Sequence, residues 1–168
     1  RLLRAEADGA RSRKRSVRAV RSPAELVCEF ENMREALRME TGADRDSAAC
    51  ALATESRIDA LLDGAPDGAR DEWLKRADVQ SALGFLWGET GDYARAIEHL
   101  DAALTGFRGD CPVRVIEQSA NFRVRLAGQR WSKALAEGRA DDALADALRD
   151  VIERAIMELD LLTQRAKT

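Results

Sequence analysis

The sequence predicts an all-α protein built from antiparallel helical hairpins, and three observations predict it. Alanine, leucine, arginine, aspartate and glutamate dominate the 168 residues. Alanine and straight side chains lose little entropy in a helix. Apolar residues recur at helical spacing in one segment after another, whereas runs of alternating β-branched residues are missing. The segments are parted by short breaks containing glycine, proline or aspartate, so successive helices become antiparallel neighbours. One domain with a core fits this length, and two do not. The organisation expected is a basic connector over 1–21 and a helical domain over 22–168, with hairpins at about 22–63, 69–107 and 112–165.

Each element has its own signals. Ser22-Pro23-Ala24-Glu25 starts the first helix: serine caps, proline suits the first helical position, and glutamate can reach back to the cap. Leu26, Val27, Phe30, Met33 and Leu37 follow at helical spacing, and Gly42 stops the run. A second helix spans about Asp46 to Asp63. Ala48, Ala51, Ile58 and Leu62 share one face, and Ala49, Ala53 and Ala60 form a small face suited to a neighbouring helix. Gly64-Ala-Pro-Asp-Gly68 is a loop. A third helix is predicted from Ala69 to Glu89 without interruption. Trp73, Ala77, Leu83 and Trp87 lie near one stripe, and Val79, Ala82 and Leu86 on another. After Gly91, Asp92 caps the fourth helix, whose apolar face is Tyr93, Ala96, Ile97, Leu100, Ala103, Leu104 and Phe107. The fifth helix runs from near Pro112 to Ala136 and carries two stripes. Ile116, Ala120, Val124, Ala127, Trp131 and Leu135 make one; Val115, Phe122 and Leu126 make the other. Glu137-Gly138-Arg139 breaks it. The sixth spans about Asp141 to Thr163, with Leu144, Leu148, Val151, Ala155, Leu159 and Leu162 as its apolar positions.

The third and fourth helices resemble a tetratricopeptide repeat (TPR). The unit runs from about Ala77 to Asp110, the length of about 34 residues typical of that family. Leu83-Gly84 matches its Leu-Gly pair, Trp87 its large position before the turn, and Gly91-Asp92-Tyr93 its turn and following aromatic. Ala96 matches its small crossing position, Leu100 its bulky one, and Ala103-Leu104 its closing pair. Gln80 replaces the usual aromatic near the repeat start, and Arg108 stands where proline is common. The match covers about a fifth of the chain. The segment PVRVIEQSANFRVRLA also resembles stretches of bacterial multidomain proteins that join such repeats to caspase-like or other signalling domains. The resemblance implies a right-handed α-solenoid that binds peptides or proteins in a groove. Stacked helical hairpins bury a continuous core that none of them can bury alone. In the family's register Asp78, Ser81, Phe85 and Glu89 face that groove. The basic and asparagine pattern of members that clamp a peptide carboxylate is missing from these positions.

On the fifth helix Arg114, Gln118, Asn121 and Arg125 form a polar stripe at i, i+4, i+7 and i+11. Two guanidiniums flanking two amides suit an acidic side chain, a terminal carboxylate or a peptide backbone. The plainer reading is a solvent-facing stripe, or one paired with acids of an adjacent repeat.

Enzymatic chemistry has little support. His99 is the single histidine, and no nucleophile motif accompanies it; a pair with Cys28, Cys50 or Cys111 is the catalytic reading, and a boundary histidine the plain one. Cys111 precedes Pro112 at a helix start, where a thiol can become more acidic; an incidental cysteine is the plain reading. Clustered metal ligands, CxxC pairs, GxxxxGK[ST] and GxGxxG are all missing, so neither metal nor cofactor is expected. Asp141, Asp142 and Asp146 read as helix-start charges.

The net charge of −3 is uneven. Residues 1–21 hold eight Lys/Arg against Glu6 and Asp8, a balance of +6 that leaves the remainder at −9. Such a cluster attracts nucleic acid or acidic surfaces. No aromatic residue interleaves it for base stacking, which favours a connector helix or a tail folded on the acidic body. No stretch of about 18 apolar residues exists for a membrane span, and three widely spaced cysteines fit reduced thiols in the cytoplasm. The opening on Arg1 rather than methionine points to a piece of a longer protein, and the composition to a bacterial source. The function expected is protein–protein interaction through a helical groove. The alternatives are a structural or regulatory arm docking on a protease-like or kinase-like domain of the same polypeptide, and nucleic-acid binding through residues 1–21.

Overall fold

A computed structural model describes residues 20–40, 47–107 and 110–165. They form seven helices and no strand: α1 (Pro23–Met39), α2 (Ser47–Asp63), α3 (Ala69–Leu74), α4 (Ala77–Thr90), α5 (Tyr93–Gly106), α6 (Val113–Ala136) and α7 (Asp142–Arg165). The basic connector expected over 1–21 lies outside the described residues except for Val20 and Arg21.

Local chemistry sets most helix ends. Ser22 Oγ accepts from the Glu25 N–H (3.2 Å), and the Glu25 carboxylate reaches back to the N–H of Arg21 (2.8 Å), one residue before the cap. The pair of bonds satisfies the Glu25 donor that the helix start leaves free and ties the residue before the cap to the first turn. Asp92 caps α5 by accepting from the Arg95 N–H (3.1 Å), and Asp141 caps α7 by accepting from that of Leu144 (2.8 Å). Gly91 and Gly138 end α4 and α6 at φ +85° and +65°, where a Cβ would be strained. Past Gly138 the Arg139 N–H returns to the Ala134 carbonyl (2.8 Å), closing a Schellman turn.

The third predicted helix is two helices. The chain breaks at Lys75–Arg76 although no glycine or proline is present, because side chains take over the freed backbone groups. The Gln80 amide donates to the Leu74 carbonyl. Arg76 forks onto both oxygens of Asp78 (3.0 and 2.8 Å), and Asp78 Oδ1 also accepts from the Val79 N–H (2.9 Å). The break turns Trp73 into the core, where it is 8 % exposed.

Helix α4 is the centre of the fold. It packs on α5 most extensively, and also on α1, α2, α3 and α6. Its residues Val79, Ala82, Leu83, Leu86 and Trp87 are all buried. With Leu26, Phe30 and Met33 of α1, Ile58, Leu61 and Leu62 of α2, Leu100 of α5 and Phe122 of α6 they make one continuous core. Two glycines let α4 approach its neighbours. A Cβ on Gly84 would stand 2.6 Å from Leu100 Cγ and 3.0 Å from the Ala96 carbonyl oxygen; one on Gly88 would stand 2.0 Å from Phe122 Cζ. Helix α7 packs on α6, burying Leu148 and Ala155.

The observed packing departs from the expected neighbours in three places. The extensive partner of α1 is α4 rather than α2, because Phe30 and Leu26 find the large apolar face of α4 while α2 offers mostly alanine. The small face of α2 is solvent: Ala49, Ala53 and Ala60 are exposed, and Thr54, Ile58, Leu61 and Leu62 are buried instead. Leu135 leaves the α6 stripe at 56 % exposed while its neighbour Ala134 is buried, so at this end the covered side of α6 is turned away from Leu135.

Candidate partner-binding face

One face of α4 lies between α1 and α6, both of which it contacts, and the polar residues singled out from sequence are distributed over it unevenly. Phe85 is half-buried and rests against the core. The guanidinium of Arg114 on α6 lies over its ring, 4.9 Å from the centroid, and that of Arg34 on α1 lies over it at 5.6 Å. A cation over an aromatic face is attracted by the ring quadrupole. Glu89 is bound by Arg38 of α1, whose Nε and Nη2 both reach Oε1 (2.7 and 2.6 Å). Asp78 is occupied by Arg76, and that bond holds its carboxyl below the usual range against the opposing effect of burial. Ser81 is buried and adds no polar surface.

The α6 stripe divides into two ends. Arg114 belongs to the Phe85 cluster. Arg125 donates to the Tyr93 hydroxyl (3.1 Å) and lies 5.7 Å from that ring's centroid. Eleven residues of helix put their backbones roughly 16 Å apart, so one small anion cannot touch both. Between them Gln118 is half-buried and Asn121 exposed. Tyr93 stacks on Phe122 (centroids 5.5 Å, planes 25° apart), which ties the Arg125 end to the α4–α5 turn. Gln129 donates to the Gly91 carbonyl (3.2 Å) and Ser47 of α2 to that of Thr90 (2.6 Å), so the turn is held from both sides.

The remaining residues marked in the repeat-like segment are packing elements. Leu83, Trp87, Ala96, Leu100 and Ala103 are buried, and Gly84 is the α4–α5 crossing. Arg95 lies over the Trp87 ring at 4.7 Å and bonds Glu55 of α2 (3.0 Å).

Arg34 and Arg38 were not legible as site residues. Their role depends on α1 meeting α4, a contact between segments about fifty residues apart. The setting of Arg34 perturbs its guanidinium. Burial, then the charges of Arg114 and Arg38, push its guanidinium below the ordinary value, and Glu31 and Glu89 pull it back only partly. Its Nε is buried and has no hydrogen-bond acceptor among the described residues.

The groups weighed for catalysis are engaged structurally. His99 Nδ1 meets Gln80 Oε1 at 2.7 Å; since the Gln80 nitrogen donates to Leu74, its oxygen accepts from the imidazole. Burial pushes the His99 pKa down. Burial also raises the Cys111 thiol, which supports the plain reading of this cysteine over an acidic thiol at the helix start. The thiol donates to the Pro112 carbonyl at 3.6 Å. Cys28, Cys50 and Cys111 form no disulfide among the described residues. Among the described residues no three of His, Cys, Asp and Glu are placed to hold a metal, and no helix is long and apolar enough to cross a membrane.

No family model, curated protein or solved structure matches the chain.

Proposed function

We propose that the chain is a TPR-like α-solenoid module that binds a peptide or protein partner across the α1–α4–α6 face. The observation that carries the reading is the Phe85 cluster: a half-exposed aromatic side chain on a buried helix, ringed by arginines from the two flanking helices. Aromatic and arginine side chains set in a firm frame are the residue types that dominate binding energy at protein interfaces. The order of helix contacts also supports a stack, since α4 meets α1, α5 and α6 while α5 meets α6 and α6 meets α7. So does the repeat-like sequence over 77–110, with Gly84 at a helix crossing. The test is affinity capture of native partners by the full chain and by the double variant Arg114→Glu with Arg125→Glu, with helicity checked by circular dichroism. Loss of the partners from a folded variant is expected. Undiminished capture would overturn the proposal.

A further inference from the structure

We infer that Arg34 and Arg114, set over the Phe85 ring, form a subsite for an acidic side chain of a bound peptide. The inference rests on the interaction reading above and adds the chemistry of the partner.

Three observations lead to it. The first is an imbalance of charge. Arg38, Arg70, Arg76, Arg95 and Arg123 each meet a carboxylate within 4 Å. Arg34 and Arg114 converge on one ring from different helices, and neither has such a partner among the described residues. The second is the buried Arg34 Nε, a donor whose hydrogen bond is unmade. A buried donor left unsatisfied is costly, and a charged one more so. The third is mutual repulsion, since Arg114 and Arg38 both act on Arg34. A carboxylate between the two guanidiniums answers all three. It accepts from a terminal nitrogen of each guanidinium, a turn of the Arg34 side chain brings its buried Nε to the same carboxylate, and the pair is neutralised. The Phe85 ring supplies an apolar floor for the methylenes of the acidic side chain.

The surroundings select a peptide carboxylate over a polyanion. Glu31 and Glu89 act on the same guanidinium, and Glu89 lies one turn along α4 from Phe85. The chain outside residues 1–21 has a charge of −9. A phosphate backbone would meet these carboxylates along its length, whereas a single acidic side chain meets only the arginine pair.

The test titrates the full chain with an acetylated, amidated dodecapeptide rich in glutamate and containing two leucines. The glutamine isostere of that peptide and a single-stranded oligonucleotide serve as comparisons. Fluorescence anisotropy reads affinity, and the side-chain N–H resonance of Arg34 Nε reads the subsite. The glutamate peptide should bind best and shift that resonance. Arg34→Gln and Arg114→Gln, each checked for native helicity, should weaken it by roughly ten- to a hundredfold. Equal binding of the glutamate and glutamine peptides, with loss on Phe85→Ala, would overturn the carboxylate subsite and leave the interaction reading standing. Preference for the oligonucleotide would overturn it in favour of a polyanion. If neither peptide binds while native partners are still captured through Arg114 and Arg125, the subsite falls alone.

Discussion

Gly84→Ala tests the central helix crossing. The new Cβ would stand 2.6 Å from Leu100 Cγ, 2.8 Å from Leu100 Cδ2 and 3.0 Å from the Ala96 carbonyl oxygen. Leu100 is fully buried, and the Ala96 oxygen is backbone, so α5 must move as a body. Overpacking of this kind costs about 1–3 kcal/mol. Replacing a mid-helix glycine by alanine returns about 1 kcal/mol through helix propensity. A net loss of about 1 kcal/mol is therefore expected, and in a chain of this size it lowers Tm by about 2–4 °C. Leu100→Ala alone should cost about 2–5 kcal/mol. In that background the methyl added by Gly84→Ala enters the space that Leu100 vacates, only the 3.0 Å approach to the Ala96 oxygen remains, and the substitution should become stabilising by up to about 1 kcal/mol through the same propensity difference. The sign reversal is the signature of direct contact, and a double-mutant cycle in urea followed by circular dichroism reads it. A Gly84→Ala variant equally stabilised in both backgrounds would refute the crossing, because only propensity would then be acting.

Three further outcomes are expected. Gln80→Leu removes both the cap on the Leu74 carbonyl and the partner of His99, and should destabilise by about 1–3 kcal/mol in chemical denaturation; an unchanged midpoint would mean the α3–α4 break does not depend on it. His99 is held below its ordinary pKa by burial. The unfolded chain therefore takes up this proton first, so stability is full above the usual histidine range near 6.5 and declines as pH falls below it; the slope of Tm between pH 7.5 and 5.5 should flatten in His99→Gln, and an identical slope would count against the assignment. Gly91→Ala places a Cβ at φ +85° and 2.9 Å from Ser47 Oγ, which should lower stability by about 1–2 kcal/mol and is checked by thermal melting against Gly128→Ala, where no atom lies within 4 Å.

What could be read from the residues is what local chemistry decides. Ser22-Pro23 with Glu25, Asp92 after Gly91, and Gly138 each act within a turn of themselves, and the helix ends they mark agree with the structure to within a residue or two. The break at Lys75–Arg76 was hidden because its makers are ordinary helix residues: Gln80 and Asp78 cap groups that the same sequence would satisfy in an unbroken helix. The α4 face was visible through Phe85 and Glu89, and the α6 stripe through its spacing. Their junction was not, because periodicity reports which side of a helix is apolar but never which helix will cover it. Arg34 and Arg38 look like solvated charges on α1 until α1 is laid against α4, and pairing with α2 would have sent them elsewhere. Leu135 shows the converse error: it is in apolar register yet exposed, because the side of α6 that is covered there carries Ala134 instead.

The contact of Phe122 with Gly88 has a consequence for recognition. The ring tip lies where Gly88 leaves α4 without a Cβ, with the half-exposed Phe85 three positions before it. A Cβ at position 88 would stand 2.0 Å from Phe122 Cζ, so this approach of α6 to α4 depends on the glycine. The glycine therefore works as an index mark that fixes where Arg114, eight positions before Phe122, comes to rest over Phe85. The span between the two guanidiniums therefore depends on a steric fit in the core, and if the proposed acidic subsite holds, Gly88→Ala should lower its preference for the glutamate peptide while leaving Arg34, Phe85 and Arg114 unchanged.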